Sequence, residues 1–348
     1  MSVRRRHAVR GRPRLRRAAP ILFFLSLASL GGASLASARP PVPVAHLAPA
    51  QANAGGVAIH IGRQHVKGGD VVAVTLPSAS GSSSATNPMQ QAARLLAVAS
   101  DGSAAIVLAL AGPSPDLVLA HPDGSQDRVG LPGILGAAFA PSGWLAAVDS
   151  AGILWRIDDI SGRVESLASG PFGSSIAFTH DGALLLIEVS SVEAPYASRL
   201  VRFDPDARQV HDVLDDPGFV FSATELVAGD TAAVIHPFGG GVAVVRASGT
   251  IATHLGDLPA QAIEATVDAA GRTVAFALVD DGIYLQDLAS RARHRLGDGG
   301  LPRIAPDGSS ILALRGSGTV LLARDGSVLV SFASPTVGWA GCAGRCLP

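Results

Sequence analysis

Five carboxylates stand out among the residues that could do chemistry in this chain: Asp149, Glu188, Glu193, Asp280 and Asp281. Each lies in a polar stretch between apolar runs, and Tyr196, His236 and Phe238 occupy comparable stretches. Carboxylates drawn from several loops can hold a hard cation such as calcium, receive a basic ligand, or divide acid and base roles. Glu188 and Asp280 are the candidate acid and base, a pairing that in a glycosidase needs the carboxyls within roughly 5 to 9.5 Å of each other. The plainer reading is a solvated acidic rim, because loop acids are usually just exposed. No catalytic residue, metal site or cofactor is assigned, and calcium has no ligand set of its own. The histidines fall at unrelated positions without metal-ligand spacing. There is no Gly-x-Ser-x-Gly elbow, phosphate loop or zinc-protease helix motif.

Cys342 and Cys346 are the only cysteines. In an exported chain such a pair is expected to form a small disulfide loop that fastens the C-terminal tail. Their three-residue separation differs from redox and haem-attachment motifs.

The elements that would carry these side chains repeat. Six turn pairs recur, Asp101-Gly102, Ser142-Gly143, Asp181-Gly182, Gly229-Asp230, Ala270-Gly271 and Asp307-Gly308, at steps of 41, 39, 48, 41 and 37 residues. A period of about 40 residues is the length of one four-stranded propeller blade. Short first strands rich in small residues, such as Ala138-Phe139-Ala140-Pro141 and Ala265-Thr266-Val267-Asp268, run into these turns. Second strands such as Leu184-Leu185-Leu186-Ile187 are apolar on both faces, as expected between neighbouring sheets. Third strands such as Ile153-Leu154-Trp155-Arg156-Ile157 begin to alternate and end in turn residues.

The expected fold is therefore an all-β β-propeller of four-stranded blades. Seven blades are favoured slightly over six, the seventh assembled from strands near Val57–Ile61 and Val71–Leu76 and from 336–340. Such a composite blade would hide open sheet edges. The only weakly helical pattern is 88–98. Residues 39–348 then make one domain, with 78–92 a flexible linker and 334–348 a C-terminal tail. In this geometry the second-to-third-strand connections and the links between blades share one face, and the Asp-Gly turns share the other. The longest variable stretch, Glu188 to Ser198, accounts for the 48-residue step. The loop-rich face is thus the expected site of binding.

Three phrases carry a family likeness: Ala138-Phe139-Ala140-Pro141-Ser142-Gly143, Phe178-Thr179-His180-Asp181-Gly182 and Ile304-Ala305-Pro306-Asp307-Gly308. They resemble the blades of bacterial TolB-like and WD-like propeller repeats, in which an apolar pair precedes Ser-Pro-Asp-Gly and a hydrophobic strand. The resemblance is at the level of blades. It implies the fold, but members of such families range from docking proteins to hydrolases. The calcium set of gluconolactonase-like propellers uses Glu, Asn and Asp, and the only asparagines here, Asn53 and Asn87, lie outside the repeats.

Residues 1–38 read as a secretory signal peptide: eight arginines, an apolar run from Ile21 to Leu30, and Ala36-Ser37-Ala38 as the cleavage site. Removing them leaves 19 basic against 28 acidic residues, a net charge of about −9. An acidic exported domain is a poor candidate for nucleic acid. No membrane span is expected after cleavage. The functional expectation is a periplasmic or extracellular, non-catalytic scaffold for a protein or glycan partner. A hydrolase or lyase using channel carboxylates, and a structural cell-envelope subunit, are the alternatives.

Overall fold

In the computed structural model the described residues are 48–49, 60–75, 93–109, 116–158, 163–179, 181–191, 197–214, 231–236, 241–246, 248, 251–305, 307–316, 318–332 and 337–339. All belong to one compact unit, Pro41–Pro348. The expected signal peptide, the linker and both cysteines lie outside the described residues.

The described strands form seven antiparallel sheets, named here in chain order. The first contains Ala93–Val98, Ala105–Ala109, Asp116–Ala120 and Gln126–Val129, with Ala48–Pro49 added at its outer edge. Next come Ile134–Phe139, Leu145–Asp149, Ile153–Ile157 and Val164–Ser169 in the second, then Phe172–Phe178, Leu184–Ser191, Ala197–Asp204 and Gln209–Leu214 in the third. The fourth has three strands, Thr231–His236, Gly241–Arg246 and Ile251–Leu255. The fifth holds Ala262–Val267, Thr273–Leu278, Gly282–Asp287 and Arg293–Gly297, and the sixth Gly300–Ile304, Ser310–Arg315, Gly318–Ala323 and Val328–Phe332. A three-stranded terminal sheet joins His60–Val66 and Gly69–Thr75 to Val337–Trp339. Five sheets therefore have the four strands of a complete blade.

Apolar clusters between consecutive sheets set the ring. Leu96, Leu117 and Leu119 of the first sheet meet Ala137 and Leu145 of the second. The third sheet places Phe172, Ile176 and Leu186 against Val148 and Leu154 on one side and Ala243 and Val245 on the other. Val242 and Val244 then pack on Val267 and Phe276, and Ala275 and Leu285 on Ile304 and Ile311. Val71, Val337 and Trp339 of the terminal sheet pack on Ala305, Leu312 and Leu321 of the sixth, while Val337–Trp339 also lies against Ala93–Val98 of the first. The second strands Leu145–Asp149 and Thr273–Leu278 are buried along their whole length because both faces meet a neighbour. The molecule is an all-β propeller of small antiparallel sheets.

First strands start earlier than the sequence predicts. Ile134–Phe139 and Ala262–Val267 begin upstream of Ala138 and Ala265, across register shifts between Ile134 and Gly136 and between Ala262 and Glu264. One extra residue at such a bulge breaks the period-two pattern by which a strand is read. The strand Ala93–Val98 occupies the end of the weak helical pattern at 88–98, and the strand His60–Val66 overlaps the expected one at His60 and Ile61, residues 57–59 lying outside the described residues. Within the expected tail, Val337–Trp339 is a strand paired with Val71–Ala73. Its indole donates to the Arg303 carbonyl at 2.9 Å, and the Ser310 hydroxyl donates to the Lys67 carbonyl at 2.6 Å.

The Asp-Gly turns share one chemistry. In Asp101-Gly102-Ser103, Asp123-Gly124-Ser125, Asp307-Gly308-Ser309 and Asp325-Gly326-Ser327 the aspartate Oδ1 accepts the serine N–H at 2.8 to 2.9 Å. The glycine N–H bonds back to the residue two before the aspartate. This is a local Asx turn that needs no tertiary contact, which is why it can recur. Serine holds the carboxyls of Asp101, Asp123 and Asp325 below the usual aspartate range.

Candidate functional site

The candidate residues sit where second strands turn into third strands. Asp149 ends Leu145–Asp149 and is buried. Its Oδ1 accepts the N–H groups of Ala151 and Ile153, both at 2.9 Å, and its Oδ2 accepts the Trp155 indole N–H at 2.8 Å. A carboxylate with three donors from its own hairpin is a turn clamp, not the exposed rim acid that the sequence suggests. Beyond it, Gly152 has φ +73° and approaches Gly170, whose carbonyl oxygen would lie 1.9 Å from an added Cβ.

Glu188 is not in a loop. Leu184–Ser191 and Ala197–Asp204 continue their pairing as far as Ser191↔Ala197, so Glu188 faces Arg199 across the ladder. The Arg199 guanidinium donates to its Oε2 at 2.9 and 3.1 Å and to Asp212 Oδ1 at 2.6 Å. The extra length of this repeat thus enters a longer hairpin, where a cross-strand ion pair offsets the polar cost of extending it. Glu193, Tyr196 and Phe238 lie outside the described residues. His236 ends the strand Thr231–His236, opposite Gly241.

Asp280 is exposed and occupies the left-handed region, φ +55°, a conformation that aspartate tolerates in a tight turn. Its neighbour Asp281 accepts the Tyr284 hydroxyl at 2.9 Å through Oδ2, while its carbonyl accepts Arg295 Nε at 2.8 Å. That hydrogen bond pushes the Tyr284 phenol upward. Arg295 also pairs with Asp298, whose carbonyl accepts Arg315 Nε at 2.9 Å. Arg315 further donates to the Leu296 carbonyl at 3.0 Å. A polar network therefore links the fifth and sixth sheets on this face. Of this network the sequence singles out only Asp280 and Asp281; Tyr284, Arg295, Asp298 and Arg315 read as ordinary strand and turn residues.

Glu188 and Asp280 belong to the third and fifth sheets, with the fourth between them in the packing order. Each of Asp149, Glu188 and Asp281 is engaged within its own hairpin. Among the described residues no group of three or more His, Cys, Asp or Glu side chains is arranged to hold a metal ion. Closer to the ring's middle, Arg303 and Glu264 approach to 3.6 Å from the first strands of the sixth and fifth sheets, with Arg303 almost fully buried.

Solved structures share this architecture. An oligogalacturonate lyase from Vibrio parahaemolyticus aligns with a TM-score of 0.56 at 9% identity, over 80% of this chain and 86% of that one. The hydrazine synthase of Kuenenia stuttgartiensis aligns at 0.53 and 13% identity, over 66% and 76%. TolB from Acinetobacter baumannii aligns at 0.48 and 16%, over 80% of each chain. The likeness is one of fold alone. No protein-family model matches the chain, and no curated protein does. Among the described residues no helix is long and apolar enough to cross a membrane.

Proposed function

We propose that this chain is an exported, non-catalytic propeller of seven blades that docks a protein or glycan partner through the face bearing the second-to-third-strand connections. The observation that carries this reading is the commitment of Asp149, Glu188 and Asp281. Their carboxylates are engaged with backbone N–H groups, an indole, a guanidinium and a phenol. Such bonds hold the connections in fixed shapes and leave the acids poorly placed to exchange protons with a substrate. A rigid, varied surface on a repeating scaffold is a recurrent basis for recognition. Export rests on the arginine-rich, apolar and Ala-x-Ala pattern of residues 1–38. Seven blades rest on the terminal sheet, which packs between the sixth and the first.

The test is cross-linking of the full chain in its native cells, comparing Asp280→Arg on this face with Asp325→Arg on the opposite one. Loss of the cross-linked species with Asp280→Arg alone supports the reading. Equal recovery from both variants, or turnover of a polysaccharide that Asp280→Asn abolishes, overturns it. A fusion of residues 1–50 to a reporter active only outside the cytoplasm tests export; an inactive, uncleaved fusion defeats that part.

A further inference from the structure

Among the described first-to-second-strand turns on the Asp-Gly face, one starts with a carboxylate. In the fifth sheet the turn keeps the shared backbone bonds, Asp268 N–H to the Thr273 carbonyl at 3.0 Å and Gly271 N–H to the Asp268 carbonyl at 2.9 Å. Its side chains differ. Where the other described turns start with Ala99, Ala140, Thr179 or Ala305, this one has Asp268; where Asp101 and Asp307 stand it has Ala270, and where Ser103 and Ser309 stand it has Arg272.

These exchanges line a cavity of about 590 Å³ at the seam between the fifth and sixth sheets. Asp268 and Thr273 are 5% and 2% exposed, so a carboxylate and a hydroxyl form its inner wall. The Asp268 Oδ1 accepts the Arg272 N–H at 2.7 Å, and its Oδ2 lies beside Gly308, 2.9 Å from where a Cβ would stand. Arg324 crosses the seam, donating to the Gly308 carbonyl at 3.0 Å and towards Thr273 Oγ1 at 3.5 Å. Asp287 and Asp307 complete the rim.

The lining sets the ligand class. A simple anion would meet three carboxylates, and a simple cation would meet two guanidiniums. Among the described residues no aromatic side chain lines the cavity to stack on a sugar ring, and the apolar surface they give it is that of Ala269 and Ala270. A molecule with both charges satisfies both walls. We propose that this cavity binds a small zwitterion of amino-acid to dipeptide size, its ammonium group at Asp268 and its carboxylate at Arg272 and Arg324. The bonds that pin Arg324 set its position before the ligand arrives and lower the ordering cost of binding.

Titration calorimetry of the full chain with glycylglycine tests this, with ethylammonium, acetate and glucose as comparison ligands. Saturable binding of glycylglycine is expected, with each comparison ligand weaker. Loss of one charge-assisted contact in Asp268→Asn or Arg272→Gln should weaken it roughly tenfold. Asp325→Asn, on the same face but outside the cavity, should leave it unchanged. Thermal melts establish that the variants fold; Arg272, an exposed side chain, decides the matter if Asp268→Asn does not. The proposal fails if glycylglycine shows no saturable binding, if Arg272→Gln binds as tightly as the parent, or if acetate, ethylammonium or glucose matches the dipeptide.

Discussion

The two ends of the second sheet's central strand, Leu145–Asp149, meet turns of opposite character. At one end, Ala140 to Trp144 closes on itself: Gly143 has φ +93° and nothing within 4 Å of an added Cβ. At the other, Asp149 to Ile153 is held by a buried carboxylate, and Gly152 abuts the Gly170 backbone of the next connection. The repeated turn is locally determined and sits in open space. The variable connection is determined by its neighbours. In this sheet the turn that repeats along the sequence depends least on tertiary contacts, and the connection at its other end is fitted to its surroundings.

Substitutions can break or sharpen this contrast. Gly152→Ala combines a left-handed φ with a backbone collision and should cost about 3 to 5 kcal/mol in chemical denaturation; a loss near that of Gly143→Ala would show that the connection relaxes freely. Asp149→Ala strands two N–H groups and an indole and should cost about 2 to 4 kcal/mol, with Trp155 fluorescence shifting as the indole loses its partner. Gly143→Ala has only the conformational penalty, about 1 kcal/mol by the same measurement.

The smallest effect is one of pH. The carboxyls of Asp123 and Asp325 are held below their unfolded value by serine, so their contribution is present above that value and is lost as pH falls through the folded one. In Ser125→Ala with Ser327→Ala, the decline of the melting temperature below about pH 4 should become shallower. An unaltered acid limb would place that sensitivity elsewhere.

The same contrast explains what could be read from the chain. Second and third strands such as Ile153–Ile157 and Thr273–Leu278 follow from apolar runs bounded by turn residues, because burial between sheets selects side chains directly. First strands were legible only at their ends, since Gly136 and the Gly173-Ser174-Ser175 stretch carry bulges that leave no periodic trace. Glu188 read as a loop acid because its partner Arg199 becomes apparent only once the hairpin register is known. Asp268 reads in the sequence only as a strand end on the face of repeated turns. Its significance depends on Gly308 and Arg324, which another sheet supplies.

The strand Val337–Trp339 has a consequence in time. It pairs with residues translated about 260 positions earlier, so the ring cannot close until Trp339 has been made. Until then Val71 and the apolar faces of the first and sixth sheets lack their final cover. A chain released before Trp339 would remain an open arc with a sticky seam, the kind of intermediate that chaperones hold and proteases remove. Closure of the ring would thereby report that synthesis has passed Trp339.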